Sequence, residues 1–410
     1  MRRRATVLSV ALVLAIGCSV VADADWAQWQ GPLRDNKSPD TGLLKKWPAG
    51  GPKLLWTGRG LGGGYSTVAI ADGMIYTTGM VSGQDTIRAF DMDGKDKWRV
   101  KNGPGWKGDK PGSRATPTID DGLLYVLSGM GRLGCFDAKS GKEKWAVQVT
   151  SKFGGRVPKW GYAESVLIDG EKVICTPGGP RAAVVALNKK TGTTIWATTG
   201  SSDGASYCPP IVFELGGIRQ IATMTVNGAM GVAPETGKVL WRYRHKTDWD
   251  VHATSLVFHN GSIYGTSGYG SGGFKLDLKV AGGKVQVTKK WTDKNLDDHH
   301  GGIVMLDGYI YGPDSRRSWV CLDFNTGALK YKTRGVGKGS ITYADGMLYC
   351  FSERGTMGLV KATPTGHQVV SSFKVPRGGR GLYWAHPVVI DGRLYVRHAE
   401  NLYAYDVKAR

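Results

Sequence analysis

Tyr65, Arg114, Tyr162, Tyr207, Ala253, His300, Lys338 and Trp384 occupy equivalent places along the chain, each eight residues, or nine for Tyr207, ahead of a turn glycine. Glu164 and His386 stand two residues after two of these positions, and Asp250 and His252 fall just before a third. Phenol, guanidinium, carboxylate, imidazole, ammonium and indole groups at equivalent points exceed what strand propensity requires, and they suit a shaped polar pocket. Trp106, Trp160 and Trp249 flank the same positions, together with Tyr269, Arg316 and Arg317. Their faces would stack on a planar ring or a sugar. His299 beside His300, with His252 and His386, raises metal ligation. Neighbouring side chains of a strand point to opposite faces, so these histidines are expected to line the pocket and not to share an ion.

The elements that must position these groups follow from the turns. Gly73, Gly122, Gly170, Gly261, Gly308, Gly346 and Gly392 each follow Asp or Asn between two short apolar runs, and "ELGG" around Gly216 fills the one gap. Asp-Gly or Asn-Gly so placed signals a type I′ hairpin, which needs positive φ at both central residues. A second phrase, "FDAKSGKEKW" in its fullest form, recurs and ends at Trp56, Trp98, Trp145, Trp196, Trp241, Trp291 and Tyr331, spaced by 42, 47, 51, 45, 50 and 40 residues. That period, with four short strands per unit, predicts an all-β, eight-bladed propeller of four-stranded antiparallel blades. The chain ends on a third strand lacking an outer partner, so residues near 53–58, around Trp56, are expected to close the ring and remove its edges. The expected division is a leader over 1–24, an irregular arm over 25–52 and the propeller over 53–410. The candidate residues then gather on one face, either as a pocket or as a polar fringe around a solvent-filled axial channel.

Composition sets the remaining bounds. With 41% hydrophobic and 21% charged residues, the chain carries enough apolar surface for a large core, and disorder is excluded. "MRRRATVLSVALVLAIGCSVVADA" has an arginine-rich start, an apolar run from Ala5 to about Gly17 and a small-x-small site, so it predicts a secretory signal cleaved after Ala24 and a periplasmic or extracellular protein. The alternative is a lipid anchor at Cys18, although Ala15 stands where leucine is usual. No other apolar run approaches about 18 residues, so no transmembrane helix is expected. Loss of three arginines and one aspartate with the leader takes the formal charge from +20 to +18. That field favours acidic polymers or envelope proteins as partners, with nucleic acid not expected outside the cytosol, or it serves solubility alone. Cys135, Cys175, Cys208, Cys321 and Cys350 sit in apolar strand contexts and are expected to pack as free thiols, without a disulfide framework or a CxxC metal site.

The phrase A/F-x-D-x-x-x-G-K-x-x-W, repeated over nearly the whole chain beyond the leader, resembles the pyrroloquinoline quinone (PQQ) repeat family. That family includes quinoprotein alcohol dehydrogenases and the propeller subunit of the outer-membrane β-barrel assembly machinery. "DWAQWQGP", "WDVHATS", "GVGKGS" and "ATPTG" resemble a secreted, single-propeller branch of it. For a PQQ- and calcium-dependent alcohol or sugar dehydrogenase, the resemblance implies Trp249-Asp250 as the segment carrying the general base, Glu164 as a calcium ligand, and Arg114 or Lys338 beside the quinone oxygens. The chain departs from that pattern: "VHATS" lacks the Asn that follows in the enzymes, there is no vicinal Cys-Cys pair, and there is no CxxCH haem site. The first expectation is therefore an exported binding or scaffold propeller acting through its funnel face and basic surface, with the minimal dehydrogenase second. An assembly role at the outer membrane is a third reading, and it would call for the lipid anchor.

Overall fold

Left-handed backbone at the hairpin turns builds the inner edge of every blade. Asp72–Gly73, Asp121–Gly122, Gly216–Gly217, Asn260–Gly261, Asp307–Gly308, Asp345–Gly346 and Asp391–Gly392 take positive φ at both residues, the type I′ geometry. The third blade differs by one residue. Asp169 pairs with Lys172, so its turn is Gly170–Glu171, and of these two Gly170 takes the left-handed conformation.

The computed structural model describes residues 25–409; the leader expected over residues 1–24 and the alternative anchor at Cys18 lie outside them. Eight four-stranded antiparallel sheets form the ring. In the first blade the strands are Ala69–Ala71, Met74–Val81, Gln84–Asp91 and Asp96–Pro104, running from a fully buried inner strand to an outer strand that alternates with solvent. The eighth blade takes its outer strand, Lys53–Gly58, from the other end of the chain, with Trp56 opposite Ala404. Pairing with the last strand, Asn401–Asp406, closes the ring as expected. All five described cysteines are free and buried. No helix among the described residues is long and apolar enough to cross a membrane.

The repeated phrase is a staple between blades. Indole N–H groups of Trp56, Trp98, Trp145, Trp196 and Trp291 donate to the carbonyls of Met92, Ala138, Lys189, Pro234 and Asn325 in the following blade, at 2.7–3.1 Å. Each ring lies against the glycine of the phrase it caps. A Cβ at Gly94 would sit 2.5 Å from Trp56, and one at Gly141 2.6 Å from Trp98, so glycine is required by contact as well as by its positive φ. Trp241 departs from the series: its N–H donates to Gln220 Oε1 of its own blade at 2.7 Å. The fifth blade replaces the phrase with a long hairpin, Gly272–Ala281 and Lys284–Asp293, and offers no receiving carbonyl of the same kind. Trp145 is half-buried, so Trp145→Ala is expected to lower stability by about 2–4 kcal/mol, read from the urea midpoint at unchanged m-value.

Residues 25–52 contain no regular strand or helix, yet they are anchored to the inner strands of several blades or to residues flanking those strands. Trp26 bridges Ile70, Ala27 accepts from the Ile119 N–H at 2.8 Å, and Arg34 donates to the carbonyls of Ser165 and Val166 at 2.7 and 3.0 Å. Asn36 reaches the Ile303 carbonyl at 3.3 Å, Lys37 bridges Tyr343, and Asp40 accepts from the Gly392 N–H at 2.8 Å. The arm therefore fills the axis at the hairpin-turn end. The cavity lined by the strand-opening residues lies at the opposite end, the funnel.

Candidate functional site

The funnel holds a cavity of about 340 Å³. Its floor includes Trp29 of the arm, whose ring lies 4.4 Å from that of His386 and whose N–H donates to Ser255 Oγ at 3.2 Å. Tyr65, Arg114, Tyr207, Ala253, His300 and Trp384, all at the strand-opening positions, stand in its wall. Trp160, Tyr269 and His299 join them from loops, with Asp109 and Lys110 at the rim. Neighbouring rings of the wall pack on one another at a tilt: 42° between Tyr65 and Trp384, 52° between Trp160 and Tyr207, and 52° between His300 and Trp384.

Electrostatically the wall is a donor surface. The Arg114 guanidinium lies 5.6 Å from the Tyr65 ring centre and donates to the carbonyls of Gly112, Asp109 and Lys110. It makes no ion pair with a carboxylate among the described residues, so no bonded acid offsets its charge. Burial pushes the histidines below their ordinary value, His299 to about 2 and His386 to about 4, so both are neutral near pH 7. Lys338 Nζ donates to His299 Nδ1 at 3.1 Å, which leaves the His299 proton on Nε2, 2.9 Å from the Tyr269 oxygen. Tyr207 likewise accepts, from the Trp160 backbone N–H at 3.3 Å. Both phenols are thus left with a proton to donate.

Behind one wall, Glu353 Oε1 gathers three donors: Trp384 Nε1 at 2.7 Å, His300 Nε2 at 3.2 Å and Lys338 Nζ at 3.1 Å. Burial alone would raise the Glu353 carboxyl, but the His300 hydrogen bond and the neighbouring cations pull it down to about 2. His299 and His300 lie on a loop, not a strand, so the opposite-face rule does not apply to them. Their rings are 4.6 Å apart, and one ligand atom from each, with one from Glu353, fall within 4.8 Å of one another. The Lys338 ammonium, 3.1 Å from both His299 Nδ1 and Glu353 Oε1, already stands as the cation of this cluster.

The remaining sequence candidates lie elsewhere. Tyr162 is buried with its hydroxyl on the Pro177 carbonyl at 2.7 Å, and His252 is buried with Nδ1 2.7 Å from Ser267 Oγ. Glu164 is buried beneath the cavity, both oxygens accepting from the Thr176 N–H at 3.1 Å, in the field of Arg34. Lys338 stands behind His299, as described. Trp249 is 59% exposed at the mouth with Lys159 Nζ 3.6 Å over its ring, and Asp250 faces solvent 3.8 Å from Lys246. Trp29 and Glu353 carry no repeat signature. For Glu353 the available signal was an acid in "FSERGT", a loop on the funnel face.

These placements do not assemble the calcium set of the quinone enzymes. Glu164 is buried and does not line the cavity, Asp250 lies outside it, and the wall supplies cations and neutral imidazoles where calcium needs several anionic or carbonyl oxygens.

Fold and funnel together define a closed eight-bladed β-propeller with an aromatic, cationic cavity on its funnel face. Residues 83–333, more than half of the chain, match the family model described as outer membrane protein assembly factor BamB, and the chain belongs to this family of PQQ-repeat propellers. It is 29% identical over 167 residues to outer membrane protein assembly factor BamB of Bordetella pertussis, covering 39% of this chain and 35% of that protein. It is 24% identical over 307 residues to quinoprotein alcohol dehydrogenase PedH of Pseudomonas putida, covering 71% of this chain and 47% of that one. The chain thus spans less than half the length of either relative. Quinohemoprotein alcohol dehydrogenase from Comamonas testosteroni shares the fold at a TM-score of 0.69 and 13% identity, over 94% of this chain and 81% of that one.

Proposed function

We propose that this protein is an exported binding propeller that holds an anionic, ring-bearing group of its partner in the funnel. Export rests on the leader in residues 1–24, and the partner is an acidic polymer or an envelope protein. The observation that carries the reading is Arg114, a guanidinium with no bonded carboxylate, set in an aromatic cavity floored by Trp29 and supplied with phenol donors. An aromatic sulfonate, 8-anilinonaphthalene-1-sulfonate, serves as probe. It is expected to bind one saturable site and quench tryptophan fluorescence, and Arg114→Gln should weaken it about tenfold, the loss of one charge-assisted hydrogen bond. Equal binding by the variant would overturn the reading.

The likeness to PedH over 71% of the chain favours a second reading, a PQQ-dependent dehydrogenase. Protein supplied with PQQ and calcium is expected to give no alcohol-dependent dye reduction. Reduction that is lost in Asp250→Ala would establish the dehydrogenase instead.

A further inference from the structure

Beside the funnel lies a second cleft of about 530 Å³, and the two share the Tyr269 side chain as a common wall. Arg244, Lys246 and Lys294 line it. All three are exposed, and Lys294 is oriented by the carbonyls of Gly270 and Ser271 at 2.9 and 3.0 Å. Two acids also line this cleft. Asp293 turns inward, its oxygens engaged by the N–H groups of Asn295 and Leu296 and by the Tyr264 hydroxyl, while Asp248 faces solvent. Three cations against two lining acids leave the cleft one net positive charge, with Lys246 also 3.8 Å from Asp250.

Resting on the binding reading above, we infer that the ligand is an acidic oligosaccharide bound end-on, its terminal uronate-type unit in the funnel and the following units over Tyr269 into the cationic cleft. Three features select this class. Two adjoining cavities of this size suit successive units of a chain better than one small molecule. The aromatic side chains of the funnel wall, Tyr65, Trp160, Tyr207 and Trp384, supply faces on which the C–H groups of a sugar ring can stack. Arg114 in the funnel and the cations of the cleft, chiefly Arg244 and Lys294, place donor groups at the terminal unit and at the units that follow, which matches a ring polymer with a carboxylate on each unit. An acidic peptide would carry the charge but not the stacking face.

Calorimetry on the purified protein with galacturonate, tetragalacturonate, neutral maltotetraose, tetraglutamate and a tetranucleotide tests the inference. Tetragalacturonate is expected to bind at least tenfold tighter than galacturonate and at least tenfold tighter than maltotetraose. The double variant Lys246→Gln/Lys294→Gln should bring the tetramer back to the affinity of the monomer, and its unfolding midpoint confirms that it is folded. Equal affinity for monomer and tetramer, or tetraglutamate or the tetranucleotide binding as tightly as tetragalacturonate, overturns the inference. If the aromatic sulfonate binds through Arg114 and no uronate does, the inference alone fails; if neither binds, the binding reading fails with it.

Discussion

Arg397→Met is expected to destabilise the protein by about 3–5 kcal/mol, among the largest single effects in the chain. Arg397 is fully buried on the second strand of the eighth blade, Arg393–His398, and nearly all its partners belong to the first blade. Its guanidinium donates to the carbonyls of Ser66 and Gly62 at 3.1 Å, to Thr77 Oγ1 at 3.0 Å and to the Thr78 carbonyl, while Nε caps the Ala399 carbonyl at 3.0 Å. Burial pulls the guanidinium down to about 9, and the nearby Asp85, itself lifted by burial to about 7, opposes that shift. Methionine fills the volume but strands several buried acceptors, each worth about 1–3 kcal/mol when left unmade. Because the contact spans the seam where the chain ends meet, the loss should appear as a lower urea midpoint. Arg397→Lys should recover less than half of it, since an ammonium cannot reproduce the fork. A loss below about 1 kcal/mol for the methionine variant would show that the seam is held by strand pairing alone.

The same seam shows how far sequence reasoning reaches. Blade number, strand order and closure at Trp56 were legible because each rests on local chemistry that repeats: positive φ at Asp-Gly, a glycine under an indole, and an unpaired last strand. Where the local chemistry changed, the pattern changed with it, as at Gly170–Glu171 and at Trp241, which bonds within its own blade. Spacing from the turns also located Tyr65, Arg114, Tyr207, His300 and Trp384, because equivalent backbone positions in a ring face the same axis. Groups that belong to no repeat leave no such mark. Trp29 arrives on the arm and Glu353 on a single loop, and the arm also decides what Glu164 meets. Arg34 of the arm sits on the Ser165 carbonyl beside Glu164, which lies buried in the field of that guanidinium.

That burial makes Glu164→Gln the second large prediction, and its sign depends on pH. Desolvation lifts the Glu164 carboxyl from 4.5 to about 8, against the opposing pull of the Thr176 hydrogen bonds and of Arg34. The folded state therefore holds a proton that the unfolded chain releases above about pH 4.5. This preference contributes fully below pH 4.5, fades as the pH rises, and is lost through about pH 8, where folding must bury a carboxylate. Glutamine keeps the acceptor for Thr176 and removes the titration. Relative to the parent, Glu164→Gln should be near neutral at pH 4 and progressively stabilising toward pH 9, by on the order of 3–5 kcal/mol, since each tenfold change in proton affinity between the folded and unfolded chain is worth about 1.4 kcal/mol. Asp85 and Asp298, each lifted to about 7 by burial, give the parent the same slope, so the difference between the two proteins is the quantity to measure. The experiment also separates the two functional readings. A buried carboxyl that keeps its proton at pH 7 in the field of Arg34 is a poor calcium ligand, so millimolar calcium should leave the unfolding midpoint of both proteins unchanged. A calcium-dependent rise in the parent that vanishes in Glu164→Gln would mean the arm can yield to the ion, and the dehydrogenase reading would then displace the binding one.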